Sequence, residues 1–269
     1  ALLTAGHRAV GLCNVAIGFQ RDFASLLGVA PARVSLGHVG LNHLTWERSV
    51  LLDGVDVLPE LLAKHADEIA PHTGMPADFI RHLGMVPSSY LRYYYDHDAV
   101  VESLRGAETR AEAVARLEAE LLELYADPEL DTKPPQLTQR GGAWYSEAAV
   151  DLLVSLTGDR QDVQVVNTLN HGTLPFLPDD AVIEVPAVIG SAGADPVLID
   201  PAQGFEPLLR GLIAHVYAYE ELALDAALRG GRDRVYDALL AHPLVGQADQ
   251  AQCLTDRLIA ENARYLPWA

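Results

Sequence analysis

Residues 11–46 read GLCNVAIGFQRDFASLLGVAPARVSLGHVGLNHLTW, and the rest of the chain is organised around them. Cys13 stands just before Val15, Ile17, Phe19, Phe23, Leu26 and Leu27, whose spacing fits an amphipathic helix, so the thiol lies in the turn that opens it. The partial positive charge of a helix start lowers a thiol pKa. Asn14 adds an amide beside it. Thirty residues after Cys13 come Asn42 and His43, set between two alternating segments, 33–39 and 44–52, that read as strands. A thiolate and a neutral imidazole suit a borderline divalent cation, and amides add oxygen ligands to it or to a substrate hydroxyl. Each residue also has a plainer role. A lone cysteine packs as a small hydrophobe, a lone histidine hydrogen-bonds in a core, and two ligands alone do not make a site.

The chain has 269 residues, 49% of them apolar, enough to bury a sizeable core in one large domain or a domain with an appendage. Its net charge of −18 excludes a nucleic-acid backbone or an anionic membrane as the expected partner. Any cationic pocket must then be a local feature built from a few arginines. Two cysteines, Cys13 and Cys253, are too few for a disulfide framework and point to a reducing cytoplasm. No signal peptide opens the sequence and no apolar run reaches membrane-spanning length, so an intracellular soluble protein is expected.

Beyond the two strands, helical spacing covers 57–69 and 76–83, with Gly74 between them. Tyr90, Tyr93, Tyr94 and Tyr95 follow: four of the chain's ten tyrosines within six residues, either a packing cluster or a source of acid–base chemistry. Residues 108–125 give the clearest helix, striped by Val114, Leu117, Leu121 and Leu124 with a solvated charged face. Prolines 128, 134 and 135 end it and lead to Arg140-Gly141-Gly142-Ala143-Trp144-Tyr145. There an arginine and free amides precede a helix over 145–157, with Ser146 as its expected cap. The arrangement suits either anion binding or a capped loop with an ordinary ion pair. Strands are expected at 163–169 and 182–188, joined through Asn170, which either shapes the turn or faces a ligand.

The last third is helical. Phe205, Leu208, Leu209, Leu212, Val216, Leu222 and Ala226 form one long face, with further helices over 235–240 and 247–265. Cys253 reads as core, and His242, before Pro243, as a C-terminal cap. Strands at the front and middle, with helices between and after, give α+β.

Gly-Leu-Cys-Asn, Gly-Leu-Asn-His-Leu-Thr-Trp, the tyrosine run, Arg-Gly-Gly-x-x-Tyr, Asn-x-x-Asn-x-Gly, Leu-Pro-x-Asp and Glu-Val-Pro together resemble glycoside hydrolase family four, in its 6-phospho-β-glucosidase branch. The α-glucoside branch has an acidic residue after the cysteine, where this chain has Asn14. The resemblance implies a C-terminal domain similar to that of lactate and malate dehydrogenases, a mixed or antiparallel sheet packed with helices. It covers the whole of 1–269 as one catalytic and metal-binding domain. Family members place a NAD-binding Rossmann domain ahead of Gly-Leu-Cys-Asn. No Gly-x-Gly-x-x-Gly follows a strand here, so the chain is expected to lack that half and to be silent alone.

The implied chemistry departs from two-carboxylate hydrolysis. NAD oxidises the sugar at C3, which acidifies the C2 proton, and a Mn2+-class ion polarises the C2 and C3 oxygens. A tyrosine takes the C2 proton, the aglycone is eliminated, water adds and the hydride returns. The resemblance assigns the metal to Cys13 and His43, the base to Tyr94 with Tyr93 as competitor, and substrate contacts to Asn14, Asn42, Arg140 (the 6-phosphate) and Asn170. Expected partners are a phosphorylated disaccharide or aryl 6-phospho-β-glucoside and further copies of the chain as a homo-oligomer. The alternative is a non-catalytic sugar-phosphate-binding or oligomerisation module. A substrate domain for a 2-hydroxy acid is disfavoured, because it leaves the Cys-Asn and Asn-His pairs unexplained.

Overall fold

The computed structural model describes residues 9–140, 144–199 and 204–268. Strand β1 (Gly11–Leu12) leads into α1 (Val15–Leu27), which Gly28 closes in the left-handed conformation that a glycine adopts freely. The alternating segments form a hairpin, β2 (Val34–Leu41) and β3 (Leu44–Leu52), turning at Asn42 and His43. After the short β4 (Val55–Asp56) come α2 (Leu58–Thr73), α3 (Ala77–Leu83) and β5 (Val86–Pro87). The tyrosine run winds through a 3-10 turn, Ser89–Leu91, into α4 (Arg92–Tyr95) and α5 (His97–Leu104). Then follow α6 (Arg110–Tyr125), α7 (Leu137–Arg140) and α8 (Tyr145–Gly158). A second ribbon, β6 (Asp162–Leu169), β7 (Val182–Gly190) and β8 (Gly193–Pro196), precedes α9 (Pro207–Arg229), α10 (Arg232–Ala241) and α11 (Ala248–Asn262).

The strands join in one sheet ordered β1-β6-β7-β2-β3-β4, with β5 added to β3 and β8 to β7. Every pairing is antiparallel, which gives the α+β class expected from the sequence. The two ribbons meet through a single rung, Gly40 opposite Glu184. Side chains alternate across a sheet, so Val39, Leu41, Trp46, Ile183 and Val185 share one face. They pack beneath Leu209, Leu212 and Ile213 of α9. The opposite face carries Val34 and Val50, covered by Phe19 and Phe23 of α1 and by Leu58, Leu61 and Leu62 of α2. A third cluster joins Leu152 of α8 to Val166, Ala187 and Ile189. Burying a leucine or phenylalanine of this kind contributes about 1.5–3 kcal/mol.

Several expectations change. Ser146 does not cap α8: Trp144 holds the cap position with φ 69°, and the Arg21 guanidinium stacks 4.0 Å above its ring. Helix α9 buries Leu209, Leu212 and Ile213, whereas Leu208 and Leu222 face outward, because the sheet covers a narrower stripe than the apolar residues occupy. Cys253 is exposed, since α11 buries Ala251 and Thr255 while position 253 turns about half a revolution away. His242 does end α10, but its Nδ1 accepts from the Leu244 N–H. Helix α6 begins on a capping box that the sequence reading left unnamed: the Thr109 Oγ1 accepts from the Glu112 N–H while the Glu112 carboxylate accepts from the Thr109 N–H.

Candidate active site

Register alone brings a set of polar side chains together on the face away from α9. His38 lies directly opposite Glu47, Gly40 opposite Glu184, and Asn167 opposite Glu184 on its other flank. An irregularity between Leu36 and His38 resets the pairing so that the imidazole meets that carboxylate. Glycine is required at position 40, because a Cβ there would sit 2.0 Å from the Leu44 carbonyl oxygen. Gly11 clears room for Asn167 in the same way, a Cβ there falling 2.7 Å from the Asn167 Cβ. The turn after β1 then delivers Cys13 onto the cluster.

Glu184 is the centre. Its Oε1 accepts from Cys13 Sγ at 3.1 Å and lies 3.0 Å from His38 Nε2, while its Oε2 accepts from Asn167 Nδ2 at 2.9 Å and Asn42 Nδ2 at 3.3 Å. Behind it, His38 Nδ1 meets Glu47 Oε1 at 2.6 Å. Glu47 and Glu184 are fully buried, and His38 and Cys13 nearly so. Burial opposes charge on His38, but the Glu47 and Glu184 carboxylates prevail and raise its pKa to about 9. Burial likewise pushes the Glu184 carboxyl upward, yet hydrogen bonds from His38, Cys13 and Asn167 hold it below the ordinary glutamate value. The expectation of a lowered thiol pKa at Cys13 does not survive. Burial and the facing Glu184 carboxylate push it well up, outweighing the amides of Val15 and Ala16 at the helix start.

His43 stands at the hairpin tip, next in sequence to Asn42, with φ 62°. A left-handed backbone at a non-glycine residue costs about 1–3 kcal/mol and collects at functional sites. Ser88 holds this tip: its Oγ donates to the His43 carbonyl at 2.5 Å, and its N–H donates to the Thr45 carbonyl at 2.9 Å. Those two bonds bring Tyr90 against His43, the rings meeting edge to face with centroids 4.8 Å apart. The His43 Nδ1 is buried and makes no hydrogen bond. A buried imidazole nitrogen without a partner, beside a hairpin whose Asn42 shares a carboxylate with Cys13, is a donor set that fits a borderline divalent cation. Cys13 also stands with two further ligand-type groups, His38 and Glu184, the three presenting atoms within 4.8 Å of one another.

The other expected site residues make the following contacts. Tyr94 packs edge to face on Tyr95 with centroids 5.3 Å apart, and the Arg92 guanidinium lies over Tyr93 at 5.1 Å. Asn14 occupies the cap position of α1 without a capping hydrogen bond from its side chain. Asn170 is fully buried and serves the turn. Its Nδ2 donates to the carbonyls of Leu174, Leu177 and Pro178, and its Oδ1 accepts from the Leu174 N–H, which leaves nothing to offer a sugar. Arg140 ends α7 as an exposed residue whose carbonyl accepts from Arg110, and the Gly141–Gly142 pair beyond it lies outside the described residues. A cleft of about 420 Å3 opens on Cys13 between α1 and α8, and Arg140 is not among its lining residues. The sequence reading missed His38, Glu47, Asn167 and Glu184. Only two motifs signalled any of them: Asn-x-x-Asn-x-Gly, which Asn167 opens, and Glu-Val-Pro, which Glu184 opens.

Comparison with known proteins agrees with this architecture. A Bacillus subtilis (strain 168) protein described as a probable 6-phospho-β-glucosidase is 36% identical over 97% of this chain, which spans 61% of that relative's length. A phospho-α-glucosidase of Clostridium acetobutylicum is 26% identical over 96% of the chain. The solved 6-phospho-β-glucosidase of Thermotoga maritima, holding manganese, NAD+ and glucose-6-phosphate, superposes with a TM-score of 0.86 at 30% identity, covering 96% of this chain and 60% of that one. The sequence pattern described as the family 4 glycosyl hydrolase C-terminal domain matches residues 38–245, from the buried His38 through the hairpin, the tyrosine run and Glu184 to just past α10. With more than half of its length inside that pattern, the chain belongs to the family 4 glycosyl hydrolases, as a C-terminal domain of that family.

Proposed function

We propose that residues 1–269 form the metal-, substrate- and proton-handling part of a 6-phospho-β-glucosidase, acting on a phosphorylated disaccharide or an aryl 6-phospho-β-glucoside. The observation that carries this reading is the convergence of Cys13 and Asn42 on Glu184, with Tyr90 seated on the neighbouring His43. The higher identity to the β-glucosidase than to the α-glucosidase, and an amide rather than an acid at Asn14, favour the β configuration.

Cys13 Sγ and His43 Nδ1 would hold a divalent ion, with Asn42 beside them. When bound, NAD and that ion supply reversible hydride transfer at the sugar C3 and polarisation of the C2 and C3 oxygens. Cys13 must shed its thiol proton to ligate, and His43 must be neutral to offer Nδ1. On this reading Tyr90, half exposed and against the His43 ring, takes the C2 proton. That role passes to Tyr90 from Tyr94 and Tyr93, whose described ring contacts are with Tyr95 and Arg92. Arg140 remains the candidate for the 6-phosphate, a guanidinium being suited to bidentate phosphate contact.

Purified 1–269 with Mn2+ and a chromogenic 6-phospho-β-glucoside, assayed with and without NAD+, tests the reading. No turnover is expected without a dinucleotide, and glucose 6-phosphate should bind in calorimetry where glucose does not. Turnover without any dinucleotide would overturn the chemistry. Equal binding of the two sugars would overturn the phosphate specificity. Substituting Tyr90→Phe in an assembly that does turn over should lower kcat and leave glucose 6-phosphate binding intact; an unchanged kcat returns the base to Tyr94 or Tyr93. The second reading, a non-catalytic sugar-phosphate-binding or oligomerisation module, draws on the outward-facing Val150, Leu153 and Val154 of α8. It predicts sugar-phosphate binding or self-association with no turnover even when a NAD-binding half is supplied.

A further inference from the structure

Glu184 has no place among the ligands and substrate contacts above, yet it is the residue to which the site's parts are tied. All four of its neighbours present donor groups: the Cys13 thiol and His38 Nε2 on one oxygen, the Asn42 and Asn167 amides on the other. They come from β1's turn, β2, the hairpin tip and β6, segments up to 171 residues away in sequence from Glu184. Replacing a buried ionic group by apolar residues is often neutral or stabilising, so stability alone does not account for one here. What a carboxylate can do, and an apolar residue cannot, is fix the direction of several donors at once. Glu47 extends the pattern: its Oε1 meets His38, and its buried Oε2 has no hydrogen-bond partner.

We propose that Glu184 is a positioning residue of the metal site, presetting Cys13 Sγ and the Asn42 tip through its two oxygens before the ion binds, and that His38 backed by Glu47 fixes Glu184 in turn. This rests on the metal reading of Cys13 and His43 above and assigns the work of holding them. Before the ion binds, while Cys13 still carries its proton, a carboxamide in place of Glu184 cannot substitute. Whichever way it is turned, its NH2 faces two donors, either Cys13 and His38 or Asn42 and Asn167. One half of the site must then let go.

Cobalt(II) titration of the 269-residue chain tests it, because a cobalt–thiolate bond gives a near-ultraviolet charge-transfer absorption that reports sulfur placement directly. Wild type should show that absorption and Cys13→Ser should lose it. Glu184→Gln should weaken cobalt affinity by roughly 10–100-fold, the range for partners that orient metal ligands. It should also dim the absorption at saturating metal while thermal unfolding stays cooperative. A role in folding alone would lower the melting temperature and leave the saturated absorption unchanged. Glu47→Gln, which touches His38 and neither Cys13 nor Asn42, provides the second variant if Glu184→Gln does not fold, with a smaller loss in the same direction. Wild-type affinity and absorption in a folded Glu184→Gln, or in Glu47→Gln where the first cannot be made, would overturn the proposal while leaving the metal at Cys13. Cobalt binding in wild type without a thiolate absorption would overturn the metal reading and the positioning role with it.

Discussion

The polar cluster under β2, β3 and β7 and the helical flank of α6, α7 and α8 are built on opposite plans. In the cluster, a thiol, an imidazole, one amide and two carboxylates sit shielded from water, each tied to the next, with the exposed Asn42 amide joined at their edge. In the flank, Leu117, Leu121, Ala148 and Leu152 are buried, while Leu122, Tyr125, Val150, Leu153 and Val154 face outward among exposed ion pairs such as Arg116–Glu108. The first region holds atoms in fixed directions and tolerates little change. The second is largely exposed, and Arg140, the residue expected to meet a phosphate, belongs to it. On the proposed reading, chemistry that needs aim falls in the hydrogen-bonded region and the phosphate contact falls in the exposed one.

The largest effect expected from that contrast is at Glu184. Glu184→Ala removes one member of a buried charged set and strands the donors around it, a loss of about 3–5 kcal/mol. Urea unfolding measures it, and a loss below about 1 kcal/mol would show the cluster to be less tightly coupled than its geometry indicates. Asn170→Ala comes next, at about 1–3 kcal/mol, because three carbonyls and an amide in its turn lose their partner. Its effect on glucose 6-phosphate binding should be nil, and a selective loss of sugar affinity in a fully folded variant would return Asn170 to the substrate.

pH separates the regions in another way. The His38 pKa is raised from 6.5 to about 9, so its contribution to stability is complete below 6.5 and lost as pH rises through about 9. The Glu184 pKa is lowered from 4.5, so its contribution is present above 4.5 and lost as pH falls through its folded value. Melting temperature should therefore hold between these limits and fall on both sides. A profile flat from pH 6.5 to beyond 9 would remove the charged His38 from the account. The smallest effect belongs to the flank: Thr109→Ala should cost about 1 kcal/mol through its capping box and leave cobalt binding untouched. A change in metal affinity there would mean that the two regions are coupled.

Sequence reading went furthest where the signal is local. Helix α6 announces itself by composition and period, and the β2–β3 hairpin by alternation, with Asn42 and His43 at its turn. Glu184, His38 and Glu47 were beyond its reach for a physical reason. Each reads as an ordinary polar position of an alternating strand, and what makes it special is a partner set by register. The His38–Glu184 contact spans 146 residues, and its geometry depends on one irregularity in β2–β3 that spacing does not reveal. The choice among the tyrosines turns on a related point. Tyr90 lies in a 3-10 turn pinned by Ser88, whereas Tyr94 lies one helical turn on, and only the Ser88 bonds to the hairpin decide which ring reaches His43.

The single rung between Gly40 and Glu184 has a mechanical consequence. Strands β6 and β7 are laced by eight residue pairs, β2 and β3 by seven, and β2 and β7 by one. The sheet is therefore two sturdy ribbons sharing a seam, and local opening should begin along that seam. A ligand gripping Cys13 beside one ribbon and His43 at the tip of the other would act as a clasp across it. Amide hydrogens flanking the seam, at Gly40, Leu41 and Val185, should exchange faster than those inside either ribbon and slow most when the clasp closes.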